Sequence, residues 1–240
     1  MRPHTDTVLA AARSFLDLDP PDLVLGGRDH QAYVAFYLTV LVLLLDQREW
    51  VRRRRELTDA LLIATIAVQQ VTLYGWHLAR GDRWDEALPL HICRISTLLG
   101  LGWLLTGDER LMQLVFYLGS WAYLSLLVPL DIAVATTSAG WNFAVNHVVT
   151  VVLPVYAHVV DAWVPTRAGA VGALGAFTAY LGLTEAVNRR TGGNYFYLRD
   201  KPVLTGLPHG RYLAASTGAA AVLFGGAYAV SRLLLRRTSR

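Results

Sequence analysis

Cysteine and lysine are almost missing from this chain of 240 residues: Cys93 and Lys201 are the only ones. A single cysteine excludes an intrachain disulfide, and a single lysine leaves arginine to supply nearly all the positive charge behind a formal net charge of +4. Charge itself is scarce. Only 17% of residues are charged against 54% hydrophobic, and the mean hydropathy is +0.36, a balance that excludes an ordinary soluble domain and points to a polytopic membrane protein. The arginines gather at the ends of apolar segments and form no basic face, so the pI of about 9.4 speaks for membrane topology and lipid headgroups, not for a nucleic-acid partner. No long apolar run follows a basic start in the first thirty residues, which are broken by Asp17, Asp19, Pro20, Pro21 and Asp22. A cleavable signal peptide is therefore not expected, and insertion falls to the first spanning helix. Solenoid repeats and low-complexity tracts are missing too.

What the chain has is apolar length. Seven stretches are long enough to cross about 30 Å of hydrocarbon as helices: Tyr33 to Leu45 with help from His30 and Gln31, Leu57 to Leu78, Leu88 to Leu105, Leu111 to Leu130, Phe143 to Trp163, Ala168 to Val187, and Tyr212 to Leu235. Lipid offers no partner to unpaired backbone groups, so an open sheet is excluded and the expected fold is an all-α membrane bundle of six or seven helices. Residues 1–30 read as an N-terminal tail, with a Val8 to Leu18 patch that is either an amphipathic interfacial stretch or a loosely docked segment. Residues 31–240 read as one bundle domain.

Arginines in short loops set the expected orientation. Arg48 and Arg52 to Arg55 follow the first span, and Arg236, Arg237 and Arg240 close the chain; with seven spans these lie on one side, read as cytoplasmic in a plasma-membrane protein. Arg189, Arg190, Arg199, Lys201 and Arg211 then fall on the other side and conflict with the rule. Trp50, Trp76, Trp84, Trp141 and Trp163 stand near span ends, as interfacial rings should. Small residues around Ala168 to Ala176 and Gly218 to Ala221 are expected to permit close helix contact.

Polar side chains inside spans mark candidate sites, because they are costly in hydrocarbon. They are Gln69 and Gln70, His77, then His91, Cys93, Arg94, Ser96 and Thr97, then Asn146, His147 and Thr150 with His158 and Asp161 towards the span's end, and Glu185. On an ideal helix His91 and Cys93 point about 200° apart, which disfavours a direct dyad. His147 is the better partner: it lies near the start of the fifth span as Cys93 lies near the start of the third, and odd-numbered spans run the same way. An imidazole or guanidinium beside a thiol favours the nucleophilic thiolate. The bland alternatives stay open. Cys93 also reads as a small buried hydrophobe, His147 as a structural hydrogen-bonding group, and Gln69, Gln70 and Asn146 as interhelical glue. Arg94 also reads as a partner of Glu185 or a snorkelling cation. No compact spacing supports a metal site, and no cofactor is implied.

Three motifs carry a resemblance: Leu88-Pro89-Leu90-His91-Ile92-Cys93, Asn146-His147, and Gly192-Gly193-Asn194-Tyr195-Phe196-Tyr197-Leu198 with Lys201-Pro202. In this order, over roughly Leu57 to Leu235, the chain resembles the YwaF-like family of bacterial integral membrane proteins, similar in turn to eukaryotic transmembrane protein 164. That resemblance implies a lipid acyltransferase, or acyl hydrolase, working on a phospholipid or fatty ester. It implies Cys93 as nucleophile and His147 as its base. Supporting or substrate-binding roles then fall to His91, Arg94, Asn146, Asn194, Tyr195, Lys201, Gln69 and Gln70. The competing reading is a transporter or lipid-binding bundle without covalent chemistry. Nothing in the sequence bears on oligomeric state.

Overall fold

The computed structural model describes residues 13–82 and 84–238. In chain order it forms α1 (Arg28–Asp46), α2 (Arg48–Arg53), α3 (Arg55–Arg80), α4 (Ile92–Thr106), α5 (Glu109–Leu127), α6 (Ser138–Asp161), α7 (Arg167–Thr191) and α8 (His209–Thr238), with a 3-10 turn at Tyr195–Tyr197. Among the described residues there is no strand, only an isolated bridge between Asp22 and Ala133. Of the Val8 to Leu18 patch, residues 8–12 lie outside the described residues, as does Arg240; Phe15, Leu16 and Leu18 are exposed.

Helices α3, α6, α7 and α8 are long and apolar enough to cross a membrane, and α4 is a shorter apolar helix. The protein is an all-α, multi-pass membrane protein. Three of the seven expected spans are not among those four: the shorter α4, α1 with its first turn of Arg28, Asp29, His30 and Gln31, and α5 opening on Glu109 and Arg110.

One helix is central. The apolar window of α6 is 72% buried, against 28% for α7, 17% for α3 and 11% for α8, so α6 is wrapped by its neighbours while the others bury only a stripe. Its start is set by Thr137, whose hydroxyl accepts from the Gly140 N–H at 3.2 Å, a side-chain cap for an otherwise unpaired first-turn donor. Pro154 sits inside it. Close approach in this core comes from glycines on neighbouring helices: a Cβ at Gly100 of α4 would overlap Leu153, and one at Gly119 of α5 would meet Thr150 Cγ2 at 2.7 Å.

The contacts between α4 and α6 fix their relative direction. Thr97 bonds Asn146 and Thr150, Gly100 abuts Leu153, and the Trp103 and Tyr156 rings meet edge-on at 6.0 Å. Residue numbers rise together, so the two helices run parallel, as expected for odd-numbered spans. The segments joining α3 to α4, α5 to α6 and α7 to α8 therefore share one end of the bundle, termed the loop end. The opposite end carries α2 and the short links 107–108 and 162–166.

Two expectations need correction. Trp163 is no interfacial anchor: it is 6% exposed and packs on Phe116. The glycines of the small-residue runs in the last two spans permit close contact only at Gly169, where a Cβ would overlap the Gln113 side chain; one at Gly172, Gly175 or Gly218 would meet open space. The alanines Ala173 and Ala220 do the packing there, both fully buried.

Candidate functional site

Cys93 lies in the first turn of a helix, not within one. The helix α4 begins at Ile92, and His91 is its N-cap in extended conformation (φ −69°, ψ 131°), with no side-chain cap bond. The ideal-helix angle between His91 and Cys93 therefore does not apply. Pro89 biases the preceding residue away from helix, and tertiary bonds hold the segment open: the Tyr195 hydroxyl accepts from the Leu88 N–H at 2.8 Å, and the Tyr180 hydroxyl donates to the Leu90 carbonyl at 2.7 Å. Arg94 N and Ile95 N both donate to the His91 carbonyl. The amides of Ile92 and Cys93 have no acceptor among the described residues, leaving the positive end of the α4 dipole beside the thiol. The thiol is 6% exposed, packs in a cluster with Tyr117, Leu118 and Tyr180, and makes no hydrogen bond among the described residues.

His147 is 7% exposed, and its ring faces Phe143 at a centroid distance of 3.9 Å. Its Nδ1 lies 2.9 Å from the Phe143 carbonyl. A carbonyl only accepts, so the proton resides on Nδ1 and Nε2 carries the lone pair. The register that pairs Thr97 with Asn146 and Thr150, continued back one turn, sets Cys93 level with the turn from Asn142 to Asn146, just before His147. No hydrogen bond joins the two side chains among the described residues.

The supporting candidates fall into two groups. Some knit the core. Thr97 donates to Asn146 Oδ1 at 2.8 Å, and Thr150 donates to the Asn146 carbonyl at 2.8 Å. Gln70 donates to Gln69 at 2.7 Å, and Gln69 reaches the Asn142 carbonyl at 3.5 Å. Others staple the loop end. Arg94 donates to the Glu86 and Leu88 carbonyls at 3.1 and 3.3 Å and to His77 Nε2 at 2.9 Å; it does not pair with Glu185, which bonds Arg189. Asn194 accepts from the Arg199 and Asp200 amides at 3.0 Å each, and Lys201 donates to the Leu207 carbonyl at 2.7 Å while lying over the Tyr212 ring. Tyr195, 1% exposed, also donates to the Trp84 carbonyl at 3.0 Å. His91 stands edge-on to Tyr195 at 5.2 Å and 3.9 Å from Glu86. That imidazole, the main influence on it, holds the Glu86 carboxyl below the usual carboxylate range.

Sequence reasoning passed over Tyr180, Asn188, Asp82 and Glu86. Asn188 is 4% exposed and brackets Tyr195, accepting from its N–H at 2.9 Å and donating to its carbonyl at 3.0 Å. Asp82 takes the Nδ1 proton of His77 at 2.7 Å, so His77 turns Nε2 toward Arg94. The only signal for these residues was polarity at the end of an apolar run, which equally marks a span boundary. No group of three or more His, Cys, Asp and Glu side chains converges as metal ligands among the described residues.

The model of the TMEM164 family matches residues 25–228. No curated protein and no solved structure matches the chain.

Proposed function

The chain belongs to the TMEM164 family of membrane proteins, and from that premise we propose that it transfers or hydrolyses an acyl group of a membrane phospholipid or fatty ester, with Cys93 as nucleophile and His147 as base. The observation that carries the reading is the lone thiol on an uncapped helix start, within about a turn in depth of an imidazole on a parallel helix whose free lone pair is on Nε2. In the reaction the thiol gives its proton to Nε2, and the sulfur attacks the ester carbonyl. The unpaired amides of Ile92 and Cys93 stabilise the oxyanion. When the carbon–oxygen bond breaks, the alcohol leaves with the proton from the imidazolium and the acyl group stays as a thioester on Cys93. A lyso-lipid hydroxyl or water, deprotonated by Nε2, then takes the acyl group and regenerates the thiol. Productive geometry requires a Cys93 rotamer that turns the sulfur toward α6.

The same proposal takes α1 and α3 to α8 as seven crossings of a plasma membrane, residues 31–240 as one bundle domain, and the α2 end as cytoplasmic. The staple roles of Arg94, Asn194, Lys201 and Tyr195 support a part in holding the loop end over the thiol, with the headgroup contact made by exposed cations there.

A second reading, a transport or lipid-binding bundle without covalent chemistry, is favoured by the thiol's apolar packing and lack of a hydrogen bond. Reconstituted protein given phospholipid with a labelled acyl chain separates the two. Cys93→Ala and His147→Ala should each lower acyl transfer by about 10²-fold or more, and hydroxylamine should release a labelled hydroxamate from the wild type alone. Full transfer by folded Cys93→Ala would sink the covalent mechanism.

A further inference from the structure

The opposite end of the bundle holds a groove of about 470 Å³ between α1, α2 and α3, within the roughly 300–1,000 Å³ of ligand pockets. Val40, Leu43 and Leu44 of α1 form one wall, Leu62 of α3 the other, and Val152 and Tyr156 of α6 the floor. From Val40 to Gln47 it runs roughly 10 Å along the helix axis, from the apolar middle of α1 out to its polar end. Its mouth is framed by Gln47, Trp50 and Thr58, and Trp50 is 44% exposed, as an interfacial ring would be.

Charge at this mouth is arranged by the break between α2 and α3. Arg54 is the non-helical residue of that break (φ −115°, ψ 35°), and its main chain joins two residues of the mouth, its N–H donating to the Trp50 carbonyl and its carbonyl accepting from the Thr58 N–H. Gln47, Val51, Thr58 and Leu62 line the groove as one stripe, and Arg54 stands at the break between Val51 and Thr58. Arg54 is exposed and has no side-chain partner among the described residues. Of the neighbouring cations, Arg52 is engaged with Glu49 and the Val159 carbonyl and Arg55 with Asp161 and Asp59. An apolar slot opening at the interface beneath an unneutralised guanidinium matches a lipid with a fatty chain and an anionic headgroup.

We propose that this groove binds an anionic phospholipid, one acyl chain between α1 and α3 and the phosphate on Arg54. The site is separate from the thiol. Tyr156 is nine residues beyond His147 on α6, roughly 13 Å toward the other end, so the lipid bound here is not the one whose ester would meet Cys93.

Native mass spectrometry of the purified protein, given phosphatidylglycerol or phosphatidylcholine with identical chains, tests this. The wild type should retain phosphatidylglycerol preferentially, and Arg54→Gln should lower that retention about fivefold. Arg53→Gln, also exposed and unpartnered but off the stripe, should leave it unchanged, and Leu62→Trp should fill the groove and lower retention of both lipids. Glycerol phosphate, which has the headgroup charge and no chain, should not compete. Equal retention of the two lipids, no loss in Arg54→Gln, or competition by glycerol phosphate as strong as by lipid would overturn the proposal. Gel filtration monitors folding, and the Arg54→Gln comparison decides should Leu62→Trp fail to fold.

Discussion

At the loop end the cations Arg94, Arg199 and Lys201 donate to main-chain carbonyls, of Glu86 and Leu88, of Gly192, and of Leu207. At the opposite end Arg55 meets the carboxylates of Asp161 and Asp59, and Arg53 and Arg54 have no partner among the described residues. The difference follows from loop length. Long segments at the loop end bring unpaired carbonyls under the membrane surface, and each needs a donor. The short links at the other end leave few such groups, so among the described residues only Arg52 of the arginines there reaches a main-chain carbonyl, that of Val159, and the others named are spent on ion pairs or stay free for headgroups. Cations that serve as staples carry little topological information, which eases the conflict of Arg199 and Lys201 with the positive-inside rule.

The sharpest way to break this comparison is to remove a staple's partner. Asn188→Ala deletes both bonds that bracket Tyr195 and leaves a buried N–H and a buried carbonyl unpaired. The expected cost is about 2–4 kcal/mol of unfolding free energy, read by thermal denaturation in detergent. Asn188→Asp keeps the acceptor and should lose about half as much. A change within about 0.5 kcal/mol would mean that the loop end does not depend on its polar staples.

Arg94→Leu should come next, at about 1.5–3 kcal/mol, because a charged donor shared by two carbonyls and His77 disappears. Arg94→Lys should recover only part of this, since an ammonium cannot span the three acceptors as a guanidinium does. By contrast, a double-mutant cycle on Arg55 and Asp161 should return only about 0.2–1 kcal/mol, and less in high salt, because both side chains are substantially exposed. A coupling there larger than the Arg94 effect would reverse the ranking of the two ends.

The apolar runs were legible because hydrocarbon imposes length: the seven stretches between Tyr33 and Leu235 lie in α1 and α3 to α8, apart from residues at their margins such as Leu88 to His91. That exception shows where sequence runs out. Leu88-Pro89-Leu90 is as apolar as a span, yet Tyr195 and Tyr180 hold it as a loop from 107 and 90 residues away, and no local pattern announces such a bond. Direction was legible for the helices of Cys93 and His147, which run parallel, but distance from a helix start was not, since Cys93 is the second residue of α4 and His147 the tenth of α6. Asn194 and Lys201 read as free ligands because their bonds stay within six residues, a local closure that composition does not reveal.

The smallest expected effect concerns Glu86, whose side chain is 50% exposed. His91 is its main influence and, together with Arg94 and His77, holds its carboxyl below the usual carboxylate range, against burial, which pushes it up. A carboxyl depressed in the native state contributes stability that is fully present above its ordinary value of about 4.3 and is lost as pH falls through the lowered native value. Thermal midpoints recorded between about pH 6 and about pH 3 should therefore fall further for the wild type than for Glu86→Gln, which has no carboxyl to protonate there. The gap should be smaller than that from any staple, because water screens a half-exposed group. Identical profiles would assign no acid-sensitive contribution to Glu86 and leave Arg94 as the dominant tie between this loop and α4.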